Sequence, residues 1–187
     1  NELSTNENMT MDIIEYYKEK PWNWTYVSMN PNLTLDMLRK YPYYSWDWTE
    51  ISRNPCLTIY MIHAFPKKPW NWRNIIMNKN TTMDIIDCYI DNFDETDFYF
   101  ASQKENLSLD IIEKHIHKKW NWVFISSNKN LTLEFVEKHI EMPWNFEIIK
   151  YNKPDIYDKL YNEHSDIMFI DNECNVIRSL VNVVKPE

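Results

Sequence analysis

The sequence contains no glycine among its 187 residues. Walker-type loops, dinucleotide-binding fingerprints and nucleophile elbows all need glycine where the backbone approaches the ligand, so their absence is expected here. Turns that require a positive φ must use another residue, and asparagine, which is abundant in this chain, is the next best choice. The composition therefore disfavours nucleotide-dependent catalysis.

Cysteine, positive charge and long apolar runs are also scarce. Cys56, Cys88 and Cys174 are far apart, so we expect neither a zinc knuckle nor a disulfide framework, and a reducing intracellular location is favoured. The 28 acidic and 20 basic residues give a net charge of −8, which disfavours sequence-independent binding to the phosphates of nucleic acid. Because no apolar run is long enough to cross a bilayer, no membrane partner is expected. The first residue, Asn1, is not methionine, which favours a processed chain or part of a longer one.

Tryptophan, in contrast, is plentiful, and all nine tryptophans belong to a motif of the form Trp-(Asn/Asp)-(Trp/Phe). Successive copies are separated by 24, 24, 50 and 24 residues, and 50 is two periods plus two. The missing copy is degenerate, with Thr96-Asp97-Phe98 in place of the tryptophans and about two extra residues near Phe93. Such a fixed period is typical of repeat proteins. The tryptophans, which we assign to the core between repeats, are Trp22, Trp24, Trp46, Trp48, Trp70, Trp72, Trp120, Trp122 and Trp144.

A second motif, Asn-x-Asn-(Leu/Met)-(Thr/Ser)-(Leu/Met)-Asp, runs in phase with the first. Its hydroxyl residue lies where a helix N-cap is wanted, and the acidic residue two places later complements the positive end of a helix dipole. The predicted caps are Thr10, Thr34, Thr58, Thr82, Ser108 and Thr132, and the acidic column is Asp12, Asp36, Asp84, Asp110 and Glu134, with Tyr60 in the third copy.

The tryptophan motif predicts a second short helix in each unit. Apolar residues follow at helical spacing, as in Trp24 and Val27, and a proline such as Pro21 often precedes the first tryptophan, which suits a helix start. The pattern then stops at Ser-x-Asn. We expect an asparagine there, such as Asn30 or Asn54, to take the left-handed cap conformation that glycine usually supplies.

These patterns predict an all-α fold, a helical-repeat solenoid of about six two-helix units of 24 residues plus a divergent C-terminal cap. We expect one repeat domain over 1–187, with six repeats in 1–151 and the fourth degenerate near 91–103. Residues 152–187 would form an eroded seventh repeat and the cap, which includes Val176–Val184. The period also suits a leucine-rich repeat, but the Leu-x-x-Leu-x-Leu frame of that fold is missing.

The paired motifs resemble tandem repeats in proteins of giant DNA viruses of the mimivirus-like group. The resemblance covers roughly residues 6–150 and is closest at Asn30-Pro31-Asn32-Leu33-Thr34 and at Lys20-Pro21-Trp22-Asn23-Trp24. The region 94–100 and the C-terminal tail depart from the pattern. The resemblance implies a viral repeat scaffold, acting in the host cytoplasm, the viral factory or the virion, and supplies no catalytic residue.

Most repeated residues are expected to be structural. An aromatic surface for sugars or bases, an amide-lined groove of asparagines and a histidine metal site at His115, His117 and His139 are the functional alternatives. Core packing, turn chemistry and a half-buried histidine in place of an aromatic residue explain the same residues more simply. We therefore expect no catalytic residue, no metal and no cofactor.

Positions that vary between copies are better candidates for binding a protein partner. One column of the first helix carries Arg39, His63, Asp87, Glu113 and Glu137. The degenerate unit adds Asp94, Glu95, Asp97, Phe98 and Tyr99, where the array breaks phase and insertions form surface loops.

These features favour a non-catalytic scaffold that binds a host or viral protein. The alternative is a structural component that self-associates in a virion or viral factory. A third hypothesis, nucleic-acid binding, depends on lysines near the end of the first helix, where they also complement the helix dipole. These are Lys18, Lys20, Lys40, Lys67, Lys68, Lys118 and Lys119.

Overall fold

A computed structural model describes residues 8–163, and the regular secondary structure of this part of the chain is all helical, with no strand. The prediction of an all-α helical repeat is confirmed. None of the helices in this range has the length and apolarity needed to span a membrane. The α-helices are α1 (Met11–Tyr16), α2 (Trp24–Ser28), α3 (Leu35–Lys40), α4 (Trp48–Arg53), α5 (Ile59–Ala64), α6 (Trp72–Met77), α7 (Met83–Tyr89), α8 (Glu95–Ser102), α9 (Leu109–Lys114), α10 (Trp122–Ser126), α11 (Leu133–Lys138), α12 (Phe146–Asn152) and α13 (Pro154–Glu163).

The chain forms two compact units, unit 1 (Asn1–Phe100) and unit 2 (Ala101–Glu187). In unit 1, the second helices of successive repeats pack side by side, α2 on α4 and α4 on α6. In unit 2, α10 packs on α12, and α13 covers both α11 and α12. The predicted C-terminal cap at Val176–Val184 lies outside the described residues, as does the end of the predicted seventh repeat.

The helices of the repeats begin at polar N-cap residues, most of which accept a hydrogen bond from the backbone of the first turn. The six predicted Thr and Ser residues are all N-caps of the first helices, and in four of them the hydroxyl accepts a hydrogen bond from the backbone N–H three residues on. The second helix begins at the second tryptophan of its motif, because the Asn or Asp between the tryptophans caps it. The preceding proline, such as Pro21, therefore lies before the cap and not at the helix start.

Tryptophans pack consecutive repeats against one another. Rings of consecutive repeats meet edge to face, with Trp48 and Trp70 4.9 Å apart and Trp122 and Trp144 also 4.9 Å apart. The first tryptophan of each motif donates its indole N–H to the carbonyl five residues earlier, over 2.8–3.1 Å. Six of the nine are buried, whereas Trp22, Trp24 and Trp72 are half-buried.

A buried serine forms the second connection between repeats. The backbone N–H of the residue between the tryptophans donates to a serine hydroxyl 19 residues earlier, at 2.9 Å in every case. The hydroxyls of Ser52 and Ser126 in turn donate hydrogen bonds to the carbonyls of Trp48 and Trp122, at 2.7 Å. Each serine therefore joins the end of one helix to the start of the equivalent helix in the next repeat.

Asparagines form a third ladder, and here one prediction is wrong. Asn54 and Asn78 have φ of −65° and −63°, so they are not left-handed caps. Their side chains bond instead: Asn78 Nδ2 donates to the Asn54 carbonyl at 2.9 Å, and Asn54 Nδ2 donates to the Asn30 carbonyl at 3.0 Å. Each Oδ1 accepts the N–H two residues on, as in an Asx turn. Asparagine is needed for its amide and not for a positive φ.

Replacing Asn54 separates these two roles. Asn54→Ala and Asn54→Gly should each lower the free energy of unfolding by about 2–3 kcal/mol, because buried carbonyls lose their donor, with glycine the worse because of its backbone entropy. Urea titration followed by tryptophan fluorescence measures both. A left-handed cap would give the opposite order, with glycine close to the wild type and alanine lower.

Candidate interaction surface

The exposed face of the first helices carries the residues that differ between repeats. In unit 1 this face includes Arg39 on α3 and His63 on α5, both exposed, and Asp87 on α7, which is half-buried. In unit 2, Glu113 on α9 and Glu137 on α11 occupy the same column and are half-buried. Two of the five residues of this column are therefore exposed, both in unit 1, and three are half-buried.

Some members of the column are bound to the next repeat. Glu113 pairs with Lys138, and its carboxylate lies 3.7 Å from Nε2 of His139. The hydrogen bond from Lys138 lowers the pKa of Glu113, and the same bond raises the pKa of Lys138. Lys40 and Glu15 form the equivalent pair at 3.6 Å in unit 1. Glu113 is therefore engaged in holding repeats together, which removes it from the freely accessible surface.

Tyr60 gives the face of unit 1 its most unusual feature. It occupies the column that is acidic in the other five repeats, and its side chain is 69% exposed at the start of α5. His63 lies one turn later on the same exposed face, with its ring 5.6 Å from the ring of Tyr89. In the sequence, Tyr60 differs from the acidic residues of its column. Only the packing of α5 shows that its aromatic ring is exposed.

The degenerate unit is rebuilt around a capping box. The segment between α7 and α8 forms a short 3₁₀ helix (Ile90–Asn92). The helix α8 then starts at Glu95, three residues before Phe98, which corresponds to the second tryptophan of an intact motif. Asp94 Oδ1 accepts the N–H of Asp97 at 2.8 Å, while Asp97 Oδ2 accepts the N–H of Asp94 at 3.1 Å. Trp72, which has no tryptophan to meet here, stacks on Tyr89 with ring centroids 5.2 Å apart.

Only part of the predicted contact region in this unit is accessible. Asp94, Glu95 and Tyr99 are exposed, whereas Asp97 and Phe98 are 5% and 4% exposed. Phe98 follows Asp97 as the second tryptophan follows Asn in an intact motif, and its ring lies 5.8 Å from that of Phe93. Asp97 and Phe98 are thus structural in this conformation, and the candidate surface consists of their exposed neighbours.

The histidines at the end of the first helices lie where other repeats carry aromatic rings. His115 and His139 are half-buried, and the His139 ring is 4.8 Å from that of Phe135. Their backbone carbonyls accept the indole N–H of Trp120 and Trp144. Within residues 8–163, no three His, Cys, Asp or Glu side chains are grouped as a metal site would need.

The fold class is thus a helical repeat with an exposed, variable face. No family model, curated protein sequence or solved structure matches this chain.

Titration of Asp97 should reveal its structural role. Burial raises the pKa of this carboxyl, the Asp94 N–H opposes the rise, and Arg73 lies 4.0 Å away. Because the folded-state pKa is raised, Asp97 contributes most to stability below its ordinary pKa and loses that contribution as pH rises. The Asp97→Asn variant should therefore gain stability relative to wild type as pH rises from about 3 to 6, in urea titrations at each pH. A difference that is constant with pH would contradict this account.

Proposed function

We propose that this chain is a non-catalytic protein-interaction scaffold of giant-virus origin, acting in the host cytoplasm, the viral factory or the virion. The viral origin rests on the resemblance of the paired motifs. Binding is proposed for the exposed face of the first helices in unit 1, around Tyr60, His63 and Arg39. The exposed part of the degenerate unit, at Asp94, Glu95 and Tyr99, is a secondary contact in the same proposal.

The observation that carries the proposal is the exposure of Tyr60. Acidic residues at this position complement the helix dipole, so the third repeat gives up a small stabilising interaction and exposes a large aromatic ring. Tyrosine is enriched among the residues that contribute most to protein–protein binding, because its ring offers contact area with few rotatable bonds. Structural demands on the repeat explain the acidic residues in this column but not the tyrosine.

The surrounding charges support a polar contact around that ring. Arg39 lies 3.7 Å from Asp36 on α3, and both side chains are largely exposed. Exposed ion pairs of this kind are weak, so the arginine is available to a partner at little cost. Tyrosine and arginine, which lie here on neighbouring first helices, are both enriched in protein interfaces.

Restoring the acidic residue tests the proposal without disturbing the fold. Tyr60→Asp should leave the free energy of unfolding within about 0.5 kcal/mol of wild type. Proteins captured from host-cell lysate by the immobilised chain should bind at least about tenfold more weakly to the variant, as expected for loss of a central interface residue. Quantitative mass spectrometry of the bound fractions measures the difference.

Tyr151→Asn is the matched control, since Tyr151 is 88% exposed and lies on α12, a second helix of unit 2 that is not part of the proposed face. The control should retain the captured proteins. Equal capture by wild type, control and Tyr60→Asp would show that this face is not the binding surface.

A further inference from the structure

Three successive repeats of unit 1 carry lysines in and beside the loops that join the first helix to the second. The loops are residues 17–23, 41–47 and 65–71, and because α2, α4 and α6 pack in sequence, equivalent loop positions lie in a row. Glu19 and Asp47 are the two carboxylates in these loops, and Asp47 is engaged as the cap of α4. We call this row the lysine edge, and it comprises Lys18, Lys20, Lys40, Lys67 and Lys68.

Two of these lysines are used within the fold. Lys40 pairs with Glu15 and lies 4.9 Å from the centre of the Tyr41 ring, and Lys68 lies 5.3 Å from the centre of the Trp48 ring. The other three, at positions 18, 20 and 67, are exposed and form no ion pair with the part of the chain that the structure describes. Three lysines without an ion pair to the described residues therefore lie along this row of unit 1.

The middle loop of the edge exposes an aromatic ring between these cations. Tyr43 is 97% exposed and occupies the loop position of Lys67 in the next repeat. Its neighbour Tyr44 instead packs inward, stacked on Tyr41 with ring centroids 5.2 Å apart. At this loop position the first repeat carries Glu19, with Lys20 directly after it, and the third repeat carries Lys67. The exposed ring of the middle loop therefore has a lysine in the loop on each side of it, with one carboxylate in the first loop.

The spacing of these groups suits an extended peptide. Packed helices lie about 8–10 Å apart, so equivalent loops of adjacent repeats are separated by roughly that distance. An extended chain advances about 3.3 Å per residue, so about three residues span one repeat. A peptide with carboxylates about three residues before and after an apolar or aromatic residue can reach both lysines and the tyrosine together.

Nucleic acid fits the same edge less well. Duplex DNA carries one charge per about 1.7 Å, which is far denser than one or two lysines per repeat can neutralise. The net charge of −8 also repels a polyanion at long range. An acidic peptide carries fewer charges and gains additional contact from Tyr43.

We propose that the lysine edge binds an extended acidic segment of a partner protein, with an aromatic or apolar residue between its carboxylates. This inference deepens the proposed protein-interaction function and rests on it. The face around Tyr60 lies on the first helices, whereas most of the lysine edge lies in the loops that follow them, so different substitutions test the two.

A labelled peptide tests the proposal directly. The probe is a fluorescein-labelled serine-rich peptide in which paired aspartates flank a central phenylalanine, about three residues away on each side. Fluorescence anisotropy at low salt should show saturable binding to the full chain. The double variant Lys20→Gln/Lys67→Gln should reduce affinity about tenfold, since each exposed ion pair contributes up to about a factor of five. Tyr43→Ser should reduce it about threefold to tenfold.

Lys79→Gln is the matched control, because Lys79 is an exposed lysine of unit 1 outside these loops. It should leave affinity within about twofold of wild type. An equal loss with Lys79→Gln would overturn the proposal, since binding would then follow net charge alone. So would the absence of binding at low salt, or tighter binding of single-stranded oligothymidylate with a steep salt dependence.

The two proposals fail independently. If the peptide does not bind but Tyr60→Asp still loses captured proteins, the lysine edge is overturned and the scaffold function stands. If the peptide binds as expected but Tyr60→Asp captures the same proteins as wild type, the face around Tyr60 is excluded and the acidic-peptide site remains.

Discussion

The interaction on which this structure depends is a hydrogen bond from one repeat to the backbone of the next. Helices of five to seven residues leave most of their terminal N–H and C=O groups without an intrahelical partner. Ser52 illustrates the solution: its hydroxyl accepts the N–H of Asn71 and donates to the carbonyl of Trp48. Without such bonds, helices this short would not be stable in water. The identity of the repeated polar residues follows from this requirement.

The same requirement explains why glycine is dispensable. Glycine is normally favoured where a helix ends, because it adopts a positive φ without strain. Here Asn54 and Asn78 end the second helices with ordinary negative φ, and their amides bond both within a turn and across to the preceding repeat. A glycine would supply the turn but not the connection.

Much of the fold could be predicted from the sequence, because individual residues with a clear structural role recur at the same position of each repeat. The caps at Thr34 and Thr58 and the core position of Trp48 follow from local chemistry and from the period of the repeat. The left-handed conformation predicted for Asn54 was wrong because asparagine at a helix end can serve through a positive φ or through side-chain hydrogen bonds. Only the position of the preceding repeat distinguishes these two roles. The early start of α8 was not predicted, because the capping box of Asp94 and Asp97 replaces the tryptophan motif from which the start of a second helix is predicted.

The candidate surface was less predictable, because exposure is a property of the packed repeat. Arg39 and Tyr60 differ from equivalent residues in other copies, and this signal is visible in the sequence. That Phe98 would be buried and Glu113 engaged with Lys138 depends on what the neighbouring helices bring against them. Columns that repeat unchanged serve the fold, whereas those that vary are where recognition can differ from one repeat to the next.

The bonds from serine to the next repeat also bear on how such a gene can change. The bond from Asn71 to Ser52 and the bond from Asn145 to Ser126 both span 19 residues, and the serines of intact neighbouring repeats are 24 apart. Duplication or loss of one whole period that carries the serine therefore keeps each such donor beside its acceptor. The two extra residues of the degenerate repeat are accommodated before Ser102, which again lies 19 residues from its donor, Asn121. The architecture thus tolerates length variation during evolution, provided that each insertion is absorbed within its own repeat.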